Sequence, residues 1–402
     1  MQTFHAFRYQ NYRWFWLGGV TESMAFGMQF LIFGWLALDI TGSSFQLGLV
    51  IFGFGFSNIA VTPVGGLIAD RISRLKLLTY SRIAVAILVT ILAILRIWSS
   101  LEIWHVYLIV LLLGSVQGIQ GAAGMAIVPD LVKRDDVMNA VALTQMFRQL
   151  GQIIGPAAGG FIIEFIGIGA ALGVNAILYT LGILFLLAIR GFRYKAPITS
   201  ATSVEQFKEG LQCIRSNPVL YTVIIVTTCT SFFALAYRQI MPAFATEVLA
   251  VGASETGLLL QSIAIGSLVG ILVLASMGDF QKKAYLLLIS LTVFSAFLIL
   301  FAWSKWFWVS WVLLLFTGAA SFGIFTPVAI ALIQLNSPPE LRGRVLSVFQ
   351  IAPAAHYLGA LPLAAGANLV SWQISVSVGA LVSLVIALWF GLWRPVLRNV
   401  NQ

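Results

Sequence analysis

The 402-residue chain is 60% hydrophobic and only 9% charged, which leaves too few polar groups to cover a water-soluble globule of this size. Its formal charge of +9 would suit a nucleic-acid ligand, but the basic residues fall in alternate connections between apolar runs, where they set membrane topology, so nucleic acid is excluded as a partner. Two cysteines, Cys213 and Cys229, give neither a disulfide framework nor a metal spacing, and the absence of a G-x-x-x-x-G-K-[ST] loop argues against an ATP-driven pump.

Apolar runs long enough to cross about 30 Å of hydrocarbon recur twelve times, and only helices satisfy their own backbone groups there. In chain order the first six are Trp14 to Leu38, Leu47 to Ala69, Leu77 to Trp98, His105 to Val128, Val141 to Phe165 and Ala170 to Ile189. Arg71, Arg74, Lys76 and Arg82 read as the basic flank of the second connection. In the first span, Glu22, Phe26, Gln29 and Phe33 share one helical face, so a carboxylate, an amide and two rings look the same way. Polar side chains at this depth cost several kcal/mol unless they face a cavity or a partner. Glu22 is therefore the leading candidate for exchanging a proton, with a permanent ion pair, for instance to Arg148, as the equal alternative. The fourth span adds Gln117 and Gln120, and the fifth a stripe of Gln145, Arg148, Gln149 and Gln152 that runs into Gly151, Gly155, Pro156, Gly159 and Gly160. Small residues at such spacing let a neighbouring helix approach closely.

A long connection, 191–217, follows; its Val204, Phe207 and Leu211 have amphipathic-helix spacing. The remaining spans are Leu220 to Ala243, Thr256 to Met277, Tyr285 to Trp303, Trp306 to Leu332, Val345 to Leu369 and Ile374 to Trp393. In the seventh, Thr227, Thr228, Thr230 and Ser231 are expected to bond their own backbone, and Arg238 to snorkel or gate the outer end. His356, between Pro353 and Pro362 in the eleventh, is a candidate cavity residue whose commoner role is structural. The second half repeats landmarks of the first. Asp70 to Asp279 and Asp130 to Glu340 agree in separation to within one residue, the mark of a duplicated chain. The expected fold is an all-α membrane protein of twelve transmembrane helices in two pseudo-symmetric six-helix bundles, at 1–190 and 218–402, with 191–217 as a cytoplasmic linker.

The run Gly66-Leu67-Ile68-Ala69-Asp70-Arg71-Ile72-Ser73-Arg74 resembles the G-x-L-a-D-r-x-G-r signature of the major facilitator superfamily, with Ser73 in place of its second glycine. The resemblance covers nearly the whole chain. It implies a cytoplasmic latch of Gly66, Asp70, Arg71, Arg74 and Asp130, in which Asp70 meets the start of the eleventh span and Arg74 pairs with Asp130. The glycine–proline run at 151–160 is similar to the G-x-x-x-G-P-x-x-G-G motif of the superfamily's exporters, although its usual upstream glycine is Ala142. The fourth-span run from Gly114 to Ala123 looks like the element that carries a proton-coupling arginine in drug antiporters, but that position holds Gly114, so Arg148 is the candidate replacement. The short phrases Asp39-Ile40-Thr41-Gly42-Ser43-Ser44 and Pro129-Asp130-Leu131-Val132 resemble the enterobactin-exporter and macrolide-efflux-like subgroup.

These readings point to proton-coupled export of a hydrophobic or amphiphilic small molecule, of drug or siderophore class, by alternating access. No cofactor is expected beyond the proton gradient, and no metal. The expected partners are the small-molecule substrate and the lipid bilayer, and the expected state is a monomer in a bacterial inner membrane. No removable signal peptide is expected, and both termini should be cytoplasmic. An uptake symporter or facilitator on the same fold is the nearest alternative. A membrane enzyme would need an interfacial polar cluster, and the one adjacent acidic pair, Asp135-Asp136, reads as charge balance beside Lys133 and Arg134. A transport-inactive receptor would keep the spans without needing Glu22.

Overall fold

Backbone groups inside a bilayer must bond within their own segment, and the described residues contain helices and connections with no strand. The structure is a computed structural model that describes residues 4–190, 203–278, 280 and 282–390. The side chains of Asp70 and Arg71 and the surroundings of Gly66, all of the expected latch, lie outside that description, as do Asp279 of the repeat and residues 191–202 of the expected linker.

The first bundle comprises α1 (Gln10–Thr41), α2 (Ser44–Arg71), α3 (Arg74–Ile97), α4 (Ile103–Ala126), α5 (Val137–Phe165) and α6 (Ile168–Leu187). The amphipathic α7 (Ser203–Ser216) precedes a second bundle of α8 (Pro218–Arg238), α9 (Ala253–Ser276), α10 (Lys283–Trp303), α11 (Phe307–Asn336), α12 (Arg342–Leu369) and α13 (Trp372–Leu388). Ten of these are long and apolar enough to span a membrane, α13 is a shorter apolar helix, and α5, 29 residues long, carries the polar stripe. The twelve-span reading therefore stands.

Local sequence explains where helices stop. Gly42 takes a left-handed φ of 62° and bonds back to the Leu38 carbonyl, closing α1, while the Ser43 hydroxyl accepts from Gln46 N–H and opens α2. The same logic explains Ser73. It is extended, at φ −59° and ψ 131°, and caps α3 by accepting from Lys76 N–H, so this turn needs no left-handed glycine. Asn217 caps α8 with Pro218 at its first position. The seventh span departs from a plain helix: α8 passes through a π-helical turn at Thr230–Ala234 and a 3-10 turn at Leu235–Arg238.

The bundles meet along two seams, α2 against α12 and α5 against α9. Close approach requires glycine at two places on the α5–α9 seam. A β-carbon on Gly160 would strike the Ala253 carbonyl, and one on Gly257 the Pro156 carbonyl. On the α2–α12 seam Phe30, Phe54 and Tyr357 pack with ring centroids 5.0–5.1 Å apart. Beyond them, at the end away from the chain termini, each bundle clasps the other with a carboxylate. Glu164 of α5 accepts from Ser254 N–H at 2.8 Å and Oγ at 2.7 Å in the first turn of α9. Glu247 accepts from the Ser44 hydroxyl at the start of α2 and from Trp372 Nε1 at 2.7 Å. An Asp39–Arg96 pair at 2.6 Å lies at the same end.

Among the described residues, hydrogen bonds between the bundles stop at the membrane midplane, where Gln149 donates to the Ala264 carbonyl at 2.8 Å and Arg238 to Gln152. Toward the termini α7 lies against the start of α12, tied by an Arg344–Glu209 ion pair, and also touches α2 of the first bundle. The structure is sealed at one end and parted at the other.

Candidate functional site

The parted end leads to a cavity of about 340 Å³ in the first bundle. Its apolar walls are Phe15, Phe26, Leu78 and Phe147; its polar walls are Glu22, Arg82, Gln117, Gln120, Arg148 and Gln152. Glu22 projects from α1, as its face requires, and is held from two sides. Arg82 of α3 donates to one carboxylate oxygen and Gln120 of α4 to the other. Arg82 is 3% exposed and also donates to the Gly182 carbonyl of α6 at 3.2 Å. Four helices of one bundle thus converge on a single carboxylate.

The structure corrects the grouping of Arg82 with the charges that flank the second connection. It lies eight residues past Arg74, two helical turns into α3 and buried. The signal is present in the sequence: a charge inside an apolar span seldom serves topology. Arg148, the expected alternative partner of Glu22, does not pair with it. It lines the same cavity within Coulombic reach of Glu22, but among the described residues it has no hydrogen-bond or ion-pair partner. Tyr179 of α6 escapes sequence reasoning, since nothing marks it within a strongly apolar helix. It lines the cavity and donates to Gln29 Oε1 at 2.6 Å.

The other expected cavity residues divide by depth. Phe26, Gln117, Gln120 and Gln152 line it. Gln29 is 1% exposed and forms a second layer between Tyr179 and Gln117. Phe33 does not reach the cavity. Eleven residues beyond Glu22 on the same face is about 16 Å along the helix, which carries its ring into the sealed core, where it is 1% exposed. Gln145 is exposed outside the lining, and Gln149 is occupied in the cross-bundle bond. His356 belongs to α12, also outside the lining. Its Nδ1 bonds the Pro353 carbonyl at 2.5 Å and its ring packs on Tyr357, the structural role. Thr227 and Thr228 bond their own preceding turn at 2.8 Å, as expected, but Thr230 and Ser231 do not: Thr230 accepts from the Ser383 hydroxyl at 2.9 Å, and Ser231 Oγ is buried without a partner among the described residues, where the π-helical turn has shifted the carbonyl ladder.

Arg238, half-buried, turns to the bundle interface rather than to the outer end. It crosses from the second bundle to Gln152 Oε1, with its guanidinium 5.5 Å from the Phe322 ring centroid. The glycine–proline run explains how α5 sits between both partners. Gly151 and Gly155 abut Ser23, Met24 and Gly27 of α1, while Pro156 and Gly160 face α9 of the other bundle. α5 is therefore packed tightly on both sides with Arg148 and Gln152 beside that contact. At the parted end Arg74 donates to Asp130 at 2.9 Å. Asp136 is more than charge balance: it accepts from Tyr9 at 2.6 Å, Arg8 at 2.6 Å and His5 at 2.7 Å, docking the N-terminal turn. Those bonds, Tyr9 first, hold its carboxyl well below the usual range.

No group of three or more metal-ligating side chains occurs among the described residues. A family model described as the Major Facilitator Superfamily matches residues 15–355. The multidrug efflux pump Tap of Mycolicibacterium fortuitum is 24% identical, over 95% of each chain. The enterobactin exporter of Salmonella typhi is 26% identical over 76% of this chain and 73% of its own. A solved bacterial homologue of the lysosomal transporter Spinster, in an inward-facing and unoccupied conformation, superposes with a TM-score of 0.72 at 13% identity, covering 98% of this chain and 97% of that one.

Proposed function

The chain belongs to the major facilitator superfamily, and from that premise we propose that it is a secondary active exporter of an amphiphilic small molecule, coupled to protons through Glu22. It is a multi-pass membrane transporter, not an enzyme. The observation that carries the reading is a half-buried carboxylate, held by the buried Arg82 and by Gln120, in the wall of a cavity that is closed at one end and open at the other.

Basic residues concentrate at the open end, with Arg8, Arg13, Lys76, Lys133, Arg134 and Arg190 against the acidic Glu102, Glu164, Glu247 and Glu255 at the sealed one. By the positive-inside rule the termini and the 191–217 tether are cytoplasmic and the cavity faces inward; the bacterial relatives support an inner membrane. The protein works as a monomer, with the bundles at 1–190 and 218–402 rocking about the site. The substrate enters between the parted ends and lies against Phe15, Phe26 and Phe147. The α5–α9 and α2–α12 seams then part outside as the inner ends close. A proton on Glu22 removes its charge, weakens its hold on Arg82 and shifts the balance between the two orientations. At about 100 mV each charge moved is worth roughly 2.3 kcal/mol, enough for one proton to support a useful gradient.

Export is favoured over uptake by the two-sided glycine–proline packing of α5 and by the drug-efflux and siderophore-export names of the relatives. An uptake symporter is the second reading, and one observation favours it. With Arg148 unpartnered among the described residues and beside Glu22, a proton on Glu22 and an electron-rich solute on Arg148 would assist each other's binding. Inverted vesicles with an imposed proton gradient separate the two. An exporter accumulates substrate in their lumen, and Glu22→Gln stops gradient-driven accumulation while leaving insertion intact. Undiminished accumulation by that variant removes Glu22 from coupling; efflux from the vesicles selects the symporter.

A further inference from the structure

Away from the helix ends, the described spans hold three guanidiniums, Arg82, Arg148 and Arg238, and one carboxylate, Glu22. Arg82 and Glu22 neutralise each other. Among the described residues Arg148 has no partner, and Arg238 has only the neutral amide of Gln152 and the face of Phe322. Arg148 is exposed to the cavity, so water solvates its guanidinium there and a solute's anionic oxygens can take that water's place; Arg238, half-buried between the bundles, has no anionic partner among the described residues.

The two are connected. Gln152 lies one helical turn after Arg148 on α5, lines the same cavity, and is the group that Arg238 holds from the opposite bundle. A solute entering the cavity meets Arg148 directly. By displacing Gln152 from Arg238 it meets a second guanidinium that belongs to the other rigid body. Guanidinium groups recognise anionic oxygens through paired, charge-assisted hydrogen bonds. The remaining walls, Phe15, Phe26, Leu78 and Phe147, suit an apolar body. A cation finds no free carboxylate here, because both oxygens of Glu22 are taken.

We propose that the transported solute is an amphiphilic organic anion whose acidic group is held by Arg148 of the first bundle and Arg238 of the second. The proposal rests on reading this cavity as the transport site, and on neither the direction of transport nor its energy source. Arg238 thereby becomes a substrate contact that senses occupancy from the bundle that must move. For an anion the membrane potential also acts outward, by roughly 2.3 kcal/mol per charge at 100 mV.

The test is equilibrium binding to the full chain in lipid nanodiscs, using three probes with one ring system: 1-pyrenebutyrate, its neutral alcohol and its trimethylammonium analogue. The butyrate is expected to bind at least about tenfold more tightly than either control. Arg148→Gln and Arg238→Gln should each remove most of that preference, and Arg148→Lys should retain part of it. Equal or tighter binding of the alcohol or the cation to the unaltered chain overturns the proposal without any variant needing to fold. Full displacement of the butyrate by sodium chloride also overturns it, in favour of an inorganic anion site. Because binding is read without transport, a protein that prefers the anion but fails to load vesicles contradicts the export reading alone.

Discussion

In the first bundle α1 runs unbroken for 32 residues and carries Glu22 at its centre. Its counterpart at the head of the second bundle, α8, leaves α-helical register at Thr230–Ala234 and continues through a short helix at Met241–Phe244 to another π-helical turn at Ala245–Leu249. A third lies in α11, at Ala319–Phe325, and among the described residues the first bundle has none. Charge is distributed the other way, with Glu22, Arg82 and Arg148 in the first bundle and Arg238 in the second. A duplicated frame has been divided into a charged socket braced by unbroken helices and a partner whose backbone ladder is already re-registered at these turns. Such turns absorb rotation at small cost. Under the proposed function, this contrast places binding mainly in one half and bending mainly in the other.

The comparison breaks first if the socket is not held by charge. Arg82→Gln leaves Glu22 in an apolar bundle without its ion-pair partner, and should destabilise the fold by about 3–5 kcal/mol. Thermal unfolding in detergent reads this, and combining the change with Glu22→Gln should restore most of the loss. An unaltered melting temperature for the single variant removes the pair as the organiser of the first bundle. The seam supplies the next largest effect. Gly257→Leu places a side chain against the Pro156 carbonyl, and overpacking of about 1–3 kcal/mol should hold the outer end apart and suppress most transport. Spin-label distances across the α5–α9 seam should lengthen; unchanged distances mean the glycine contact does not set the closed state.

The smallest effect sharpens where the socket ends. Asp136 docks residues 5–9, and its bonds keep its carboxyl below the usual range. For a depressed carboxyl the stabilisation is complete above the unfolded value, about 3.9, and is lost as the pH falls through the folded one. Protection of the N-terminal turn against hydrogen exchange should therefore be insensitive to Asp136 titration between about pH 5 and 8. It should fall locally in Asp136→Asn with transport little changed. Lost transport in that variant would extend the functional socket to the N-terminus.

Much of this is legible because membrane burial leaves few ways to write a helix. Apolar length marks the spans, and the Gly42–Ser43 punctuation marks the first turn. The polar face through Glu22, Phe26 and Gln29 points into the first bundle as periodicity requires. Periodicity does not report depth, so Phe33, on the same face, falls in the sealed half. Arg82 misleads because a basic residue near a basic connection looks like its neighbours until its distance along the helix is counted. Tyr179, Gln149 and Arg238 depend on which helices the fold brings together, and no single-span pattern contains that. Gln152 is legible as a lining residue, but its bond to Arg238 belongs to the assembled pair of bundles.

The central claim is that the cavity around Glu22, Arg82 and Arg148 is the transport site and opens toward the side of the termini. Gly121 lines it, and a β-carbon added there would meet nothing within 4 Å, so Gly121→Cys, with Cys213 and Cys229 replaced, places a thiol in the cavity without crowding. Membrane-impermeant maleimide applied to oriented vesicles should label this cysteine from the face bearing the termini, and a bound transported solute should protect it. Labelling only from the opposite face, or labelling that no transported solute slows, would contradict the account.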